Sequence, residues 1–262
     1  MISYPNIDPV AIDLGFISIY WYGISYVVGI LTAWFLLKYR VRQSQLLLDN
    51  QQIGDLVFFV MLGIIIGGRL GSIIFYNFSY YLEHPLEIFY IHKGGMSFHG
   101  GLIGVIIAVW FFSFNRSISF FRVTDFIAPV VPIGLGCGRI ANFINGELWG
   151  GPSNLPWAMI FPDPAAGGIS RHPSQLYEAF LEGLVLFIIL WWFSRIPRPV
   201  RATSGLFLFF YGIFRFLIEF VRMPDQHIGY IAFNWLTLGQ LLSIPMIIFG
   251  MIFLVTAYKL ND

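Results

Sequence analysis

The sequence predicts an all-α integral membrane protein with about seven transmembrane helices, and three observations carry that reading. Mean hydropathy is +0.74, with 57% apolar and only 11% charged residues, outside the range of ordinary soluble domains. Uncharged runs reach the length a helix needs to cross a hydrocarbon core of about 30 Å. Basic residues also alternate between successive connections in the manner of a multi-pass chain.

Taken in order, Phe16–Leu37 carries no charge and gives the first span. Leu56–Asn77 is the second, with Arg69 inside it, and Met96–Asn115, again without a charge, is the third. Roughly Arg122–Gly138 is the fourth and least apolar of the set; Ala179–Ser194 and Ala202–Val221 follow. Ile228–Tyr258 is uncharged throughout and longer than one crossing needs, so it holds a seventh span plus a loop. There is no internal repeat, low-complexity tract or domain linker, so residues 1–262 read as a single membrane domain.

Lys38, Arg40, Arg42, Arg116, Arg122, Arg195, Arg198, Arg201 and Lys259 fall on one side, the majority of the basic residues. Lys93, Arg139, Arg171 and Arg222 fall on the other, while Arg69 and Arg215 lie within spans. The positive-inside tendency then puts the N-terminus outside and the C-terminus in the cytoplasm. The segment Met1–Gly15 lacks a basic n-region, and the first apolar run is long enough to stay as a span, so no cleavable signal is expected. That segment is expected along the outer interface, with Asp8 and Asp13 solvated. The single cysteine, Cys137, excludes an internal disulfide and a multi-cysteine metal site. A net charge of +1 leaves no nucleic-acid footprint.

The segment from Arg139 to about Gln175 is rich in Gly, Pro, Asn and Asp, residues that favour turns. It predicts an irregular external cap, about residues 139–175. Its Trp149, Leu155, Pro156, Trp157, Ile160 and Phe161 suit either headgroup-level anchoring or substrate entry.

Polar residues concentrate in one stretch, Gly138-Arg139-Ile140-Ala141-Asn142-Phe143-Ile144-Asn145-Gly146-Glu147-Leu148-Trp149-Gly150. Beside apolar runs, such groups need partners or a water-filled cavity. Tyr211, Arg215 and Glu219 recur at steps of four and share one helix face. Glu219 either pairs with Arg215 within the helix or reaches a ligand. Arginines converging at headgroup depth suit a phosphate, which arginine can hold bidentately. His99, in Gly94-Gly95-Met96-Ser97-Phe98-His99-Gly100-Gly101, is a candidate general base or a histidine bonded between helices. Around Arg69, the Gly67/Gly71 pair reads as a helix contact.

These motifs carry a resemblance to the bacterial prolipoprotein diacylglyceryl transferases. It extends over Trp21-Tyr22-Gly23, Gly67–Asn77, the His99 segment, Gly138–Gly150, Arg171-His172-Pro173-Ser174-Gln175-Leu176-Tyr177-Glu178 and Tyr211–Asp225. Two positions depart from the family's usual pattern. Tyr20 stands where some members have histidine, and Gly151 where an arginine often follows the central motif.

The resemblance implies an inner-membrane transferase without a cofactor. It would move the diacylglyceryl group of phosphatidylglycerol to the lipobox cysteine of a preprolipoprotein, with its site in the outer half of the bilayer. The products would be a thioether and glycerol 1-phosphate, and the chain is expected to act as a monomer. By analogy Arg139 and Arg215 would hold the phosphate and stabilise its developing charge. Asn142, Asn145, Glu147 and Gly150 would order headgroup and loop, and Tyr22 would face the cavity. His99 or Tyr211 would assist loss of the thiol proton, and Glu219 would fix Arg215 or touch substrate. A transporter using Arg215 and Glu219 as a polar path is the alternative, although spans three and seven offer it no charge. An intramembrane serine protease is disfavoured because Gly-x-Ser-x-Gly is absent.

Overall fold

A computed structural model describes residues 2–41, 48–90, 94–224 and 229–259. Arg42, Lys93 and Asp225, used above, lie outside the described residues. Over the described residues the architecture is all-α with two small two-stranded sheets. Each of the seven apolar stretches has a helical counterpart among the described residues. Among the described residues five helices are long and apolar enough to cross a membrane, six if one bent pair counts as a single span. The chain divides into two compact units, Lys38–Thr124 and Met1–Leu37 with Asp125–Asp262.

In the first of these, α2 (Asn50–Tyr76) begins with a reciprocal cap. The Asp49 side chain accepts from Gln52 N at 2.7 Å, and the Gln52 side chain accepts from Asp49 N at 3.0 Å. A short α3 (Phe78–Glu83) and a 3₁₀ turn, Pro85–Phe89, lead to α4 (Phe98–Asn115). The α2–α4 crossing runs over Gly63, Gly67 and Gly71 against Gly100 and Gly104. A Cβ on Gly71 would lie 2.6 Å from Gly100 Cα, so side chains there would push the helices apart. The Gly67/Gly71 pair is therefore the helix contact expected of it. Arg69, on the same helix, is buried and donates to five backbone carbonyls of residues 87–95.

In the other unit, a hairpin of β1 (Val10–Asp13) and β2 (Ser18–Tyr20) precedes α1 (Trp21–Val41). Asp8 and Asp13 are exposed, as expected, and accept from nearby backbone. The fourth span is broken: α5 (Phe120–Ile127), within which the division between the units falls, and α6 (Val131–Ile144) are separated by a bend of 51°. Pro129 disfavours helical backbone at Ala128, while Pro132 sits at the start of α6, where its missing N–H costs nothing. Helix α6 runs on to Ile144, so Arg139 and Asn142 are helical positions and the irregular segment starts at Asn145.

That segment, with β3 (Met159–Ile160) paired to β4 (Ser170–Arg171), has its own small core of Phe143, Trp149, Met159, Phe161 and Ala166. Trp149 and Phe161 are thus core residues and not interfacial anchors, whereas Leu155, Trp157 and Ile160 are exposed. Then come α7 (Ser174–Glu178), a π-helical turn over Ala179–Val185 and α8 (Leu186–Phe193) as one continuous apolar helix. Helix α9 (Ala202–Ile218) is capped at its start by Asp125, which accepts from Arg201 N, Ser204 N and Ser204 Oγ. Helix α10 (Leu238–Lys259) closes the described chain.

Candidate active site

Helix α6 and the π-helical turn cross where two glycines face each other. A Cβ on Gly183 would lie 2.8 Å from Gly136 Cα. Arg139, one turn beyond Gly136, is thereby set beside the glutamates that precede Gly183. Arg139 Nε lies 3.3 Å from Glu178 Oε2, and its Nη2 donates to Glu182 Oε2 at 3.4 Å. Helix α9 supplies Arg215, whose Nη1 makes a short bond to Glu178 Oε1 and lies 3.8 Å from Glu182 Oε1. Its Nη2 pairs with Glu219 at 2.5 Å, the intrahelical pairing that the four-residue step predicts. Arg222 completes the group, 3.2 Å from Glu219 Oε1 and 3.9 Å from Glu178 Oε1.

Three arginines and three glutamates therefore converge, formally neutral as a set, with Glu178 and Glu182 wholly buried. Charges withdrawn from water in this way persist only when matched, because desolvation costs several kcal/mol per ion. Glu219 is further fixed from α10: Thr237 Oγ1 donates to its Oε2 at 2.5 Å, while Thr237 and Gln240 cap that helix reciprocally. Tyr211, one turn before Arg215, is buried against Leu186 and Leu190 and stacked on Phe207. It lies within electrostatic reach of Glu182 and of both arginines. Tyr22 is half-buried, with its ring centroid 5.4 Å from that of Tyr26 one turn on.

The central motif folds into the helix end and the loop beyond it. Asn142 and Asn145 both donate to Glu147 Oε1, at 2.8 and 3.3 Å. Leu148 is held at φ +59°, a left-handed conformation costly for leucine. The carbonyls on either side of that residue's N–H are bound from α7: Gln175 Nε2 donates to Glu147 O at 2.6 Å and Ser174 Oγ to Leu148 O at 3.0 Å. Gly150 is needed for close approach, since a Cβ there would stand 2.6 Å from Val221 O. Its N–H donates to His172 O at 2.9 Å, and it also bridges to Arg222. Arg171 takes no place among the site arginines: it donates to Ala166 O and Gly150 O and stacks over Trp149.

Of the residues singled out from sequence, Arg139, Tyr211, Arg215 and Glu219 share one cluster, and Asn142, Asn145 and Glu147 form a second group at the end of α6. His99 belongs to the Lys38–Thr124 unit. It is exposed in the first turn of α4, after Ser97, whose Oγ accepts from Gly100 N at 3.2 Å. Glu178, Glu182 and Arg222 are the members of the cluster to which the sequence reading gives no role. The available signal is a pair of acidic residues four apart at the head of an apolar span, where a carboxylate is costly and functional by default.

Residues 9–256 match the family model described as prolipoprotein diacylglyceryl transferase. Among similar proteins, the phosphatidylglycerol–prolipoprotein diacylglyceryl transferase of Methylococcus capsulatus is 58% identical over 259 residues, covering 98% of each chain. The protein of that name from Pseudomonas aeruginosa is 54% identical over 99% of this chain and 97% of its own. That of Pseudomonas syringae is 53% identical over 99% and 96%. None of this favours the transporter alternative. The chain belongs to the prolipoprotein diacylglyceryl transferase family.

Proposed function

We propose that this protein transfers the diacylglyceryl group of phosphatidylglycerol to the lipobox cysteine of preprolipoproteins, the first step of lipoprotein maturation. The observation that carries the reading is the near full-length match to transferases of that name. In the reaction a sulfur–carbon bond forms to the glyceryl carbon, and the bond from that carbon to the phosphate oxygen breaks. Glycerol 1-phosphate leaves, and the thiol proton passes to the leaving phosphate or to water. Arg139 and Arg215 hold the phosphate and stabilise the charge that grows on the departing oxygen. The same cations favour the thiolate, whose unperturbed thiol pKa is about 8.5. His99 or Tyr211 assists by relaying the thiol proton on that path.

Asn142, Asn145, Glu147 and Gly150 shape the loop against which the headgroup rests, Tyr22 borders the lipid, and Glu219 fixes Arg215. The protein works as a monomer in the bacterial inner membrane, N-terminus outside, with the site in the outer half of the bilayer. Purified protein incubated with phosphatidylglycerol and a lipobox peptide tests this by mass spectrometry. The expected outcome is a diacylglyceryl mass gain on the cysteine peptide, matched by glycerol 1-phosphate release, and none on a serine-for-cysteine control. An unmodified cysteine peptide from folded, lipid-loaded protein would overturn it.

A further inference from the structure

Glu178 and Glu182 stand on one helix yet hold their arginines unequally. Glu178 bonds Arg215 closely, lies 3.3 Å from Arg139 Nε and 3.9 Å from Arg222 Nε, and so touches all three cations. Glu182 reaches two of them only at 3.4 and 3.8 Å. Its Oε1 makes no hydrogen bond although the side chain is wholly buried. Glu178 Oε2 also lacks a well-aligned donor, but it stands against Arg139 Nε, whereas among the described residues Glu182 Oε1 has no cation nearer than 3.8 Å. A buried acceptor without a donor is costly, and such an exception calls for a reason. Local packing explains why Glu182 stays: the next residue, Gly183, is pressed against Gly136, and the π-helical turn, a form frequent at functional sites, fixes its direction. The cluster's charges already cancel, so an arriving phosphodiester brings an unmatched negative charge unless one resident carboxylate gives up its contacts.

We propose that Glu182 is an anion placeholder, a positioning residue that keeps Arg139 and Arg215 close together while the site is empty and yields their guanidinium faces to the lipid phosphate. Glu178 remains bound throughout and holds the two arginines in place. The proposal rests on the assignment of Arg139 and Arg215 to the phosphate.

Kinetics of the full-length protein in mixed micelles of phosphatidylglycerol, with a lipobox peptide and glycerol 1-phosphate as inhibitor, test it. Glu182→Gln removes the competing charge and lowers both the KM for phosphatidylglycerol and the Ki for glycerol 1-phosphate. A change of roughly fivefold is expected, a fraction of what one unit charge a few ångströms away is worth at a partly buried site. Glu178→Gln loosens the arginines and raises both constants while turnover falls. An unchanged or raised Ki in Glu182→Gln, or a lowered Ki in Glu178→Gln, overturns the proposal. Should Glu182→Gln not yield monodisperse protein, Glu182→Asp draws the carboxylate back by one methylene and moves Ki the same way by a smaller factor. Arg139→Gln separates the two levels of inference: full turnover there removes the phosphate assignment itself, whereas lost turnover with an unmoved Ki in Glu182→Gln removes only the placeholder.

Discussion

Arg69 and Arg215 are both arginines set in apolar helices and withdrawn from water, but Arg69 is surrounded by carbonyls and Arg215 by carboxylates. A guanidinium has five N–H donors. Arg69 spends them on Ile88 O at 2.9 Å, Gly94 O at 2.5 Å, Gly95 O at 3.3 Å, Glu87 O at 2.6 Å and Tyr90 O at 3.4 Å. Backbone dipoles cannot leave without unfolding the loop, so that site is saturated and serves structure. Arg215 instead meets side-chain anions, which can exchange for an anionic substrate at little net cost in charge. The identity of the acceptor separates a structural cation from one available to a ligand, and burial alone does not.

The sharpest way to break this contrast is the same substitution at both positions. Arg215→Lys keeps the charge but replaces a planar fork serving Glu178 and Glu219 together by a point charge. Turnover of the lipobox peptide is expected to fall by about 10²–10³, the usual consequence of losing one aligned transition-state donor. Arg69→Lys leaves three donors for five acceptors. It is expected to lower stability by about 2 kcal/mol, since hydrogen bonds to a charged group are worth roughly 1.5–3 kcal/mol each and the loop can partly relax. Thermal unfolding in detergent should show a lowered Tm with the KM for phosphatidylglycerol unchanged. A raised KM with normal Tm would put Arg69 among the headgroup contacts and erase the distinction.

The sequence reveals the members of the second kind of site only where periodicity exposes them. Tyr211, Arg215 and Glu219 are legible because steps of four mark one helix face. Arg139 is legible because its motif is polar beyond what an apolar chain tolerates. Glu178 and Glu182 also stand four apart, at the head of an apolar span, but their meeting with Arg139 is set by the Gly136–Gly183 crossing, which periodicity along one helix does not show. The carbonyl cage of Arg69 leaves no side-chain signature at all, since backbone acceptors are the same for any residue. The helices themselves are readable from apolar run length. The break in the fourth span follows from Pro129 and Pro132, and the helical placement of Arg139 from the continuity of α6 past Gly138. Turn-forming composition around Asn142 and Asn145 suggests a loop starting earlier than it does.

The smallest expected effect concerns a cation-capable group with neither kind of partner. His172, in the loop before α7, has its Nδ1 3.2 Å from the Tyr177 hydroxyl, which itself accepts from Trp157 Nε1 at 2.7 Å. With its oxygen so engaged, Tyr177 has its O–H to give to Nδ1, an arrangement that needs the neutral ring. Partial burial acts in the same sense and lowers the His172 pKa below the ordinary 6.5. A group with a depressed folded pKa binds fewer protons folded than unfolded, so stability rises with pH across that interval. The contribution is complete above about pH 6.5 and is lost as the pH falls through the folded value. The Tm of the unaltered protein should therefore drop more between pH 7.5 and pH 5 than that of His172→Gln. Parallel Tm profiles for the two proteins would show that the ring titrates as it does in the unfolded chain. His172 would then act only through its backbone, where its N–H and C=O bond Gly151 and Gly150.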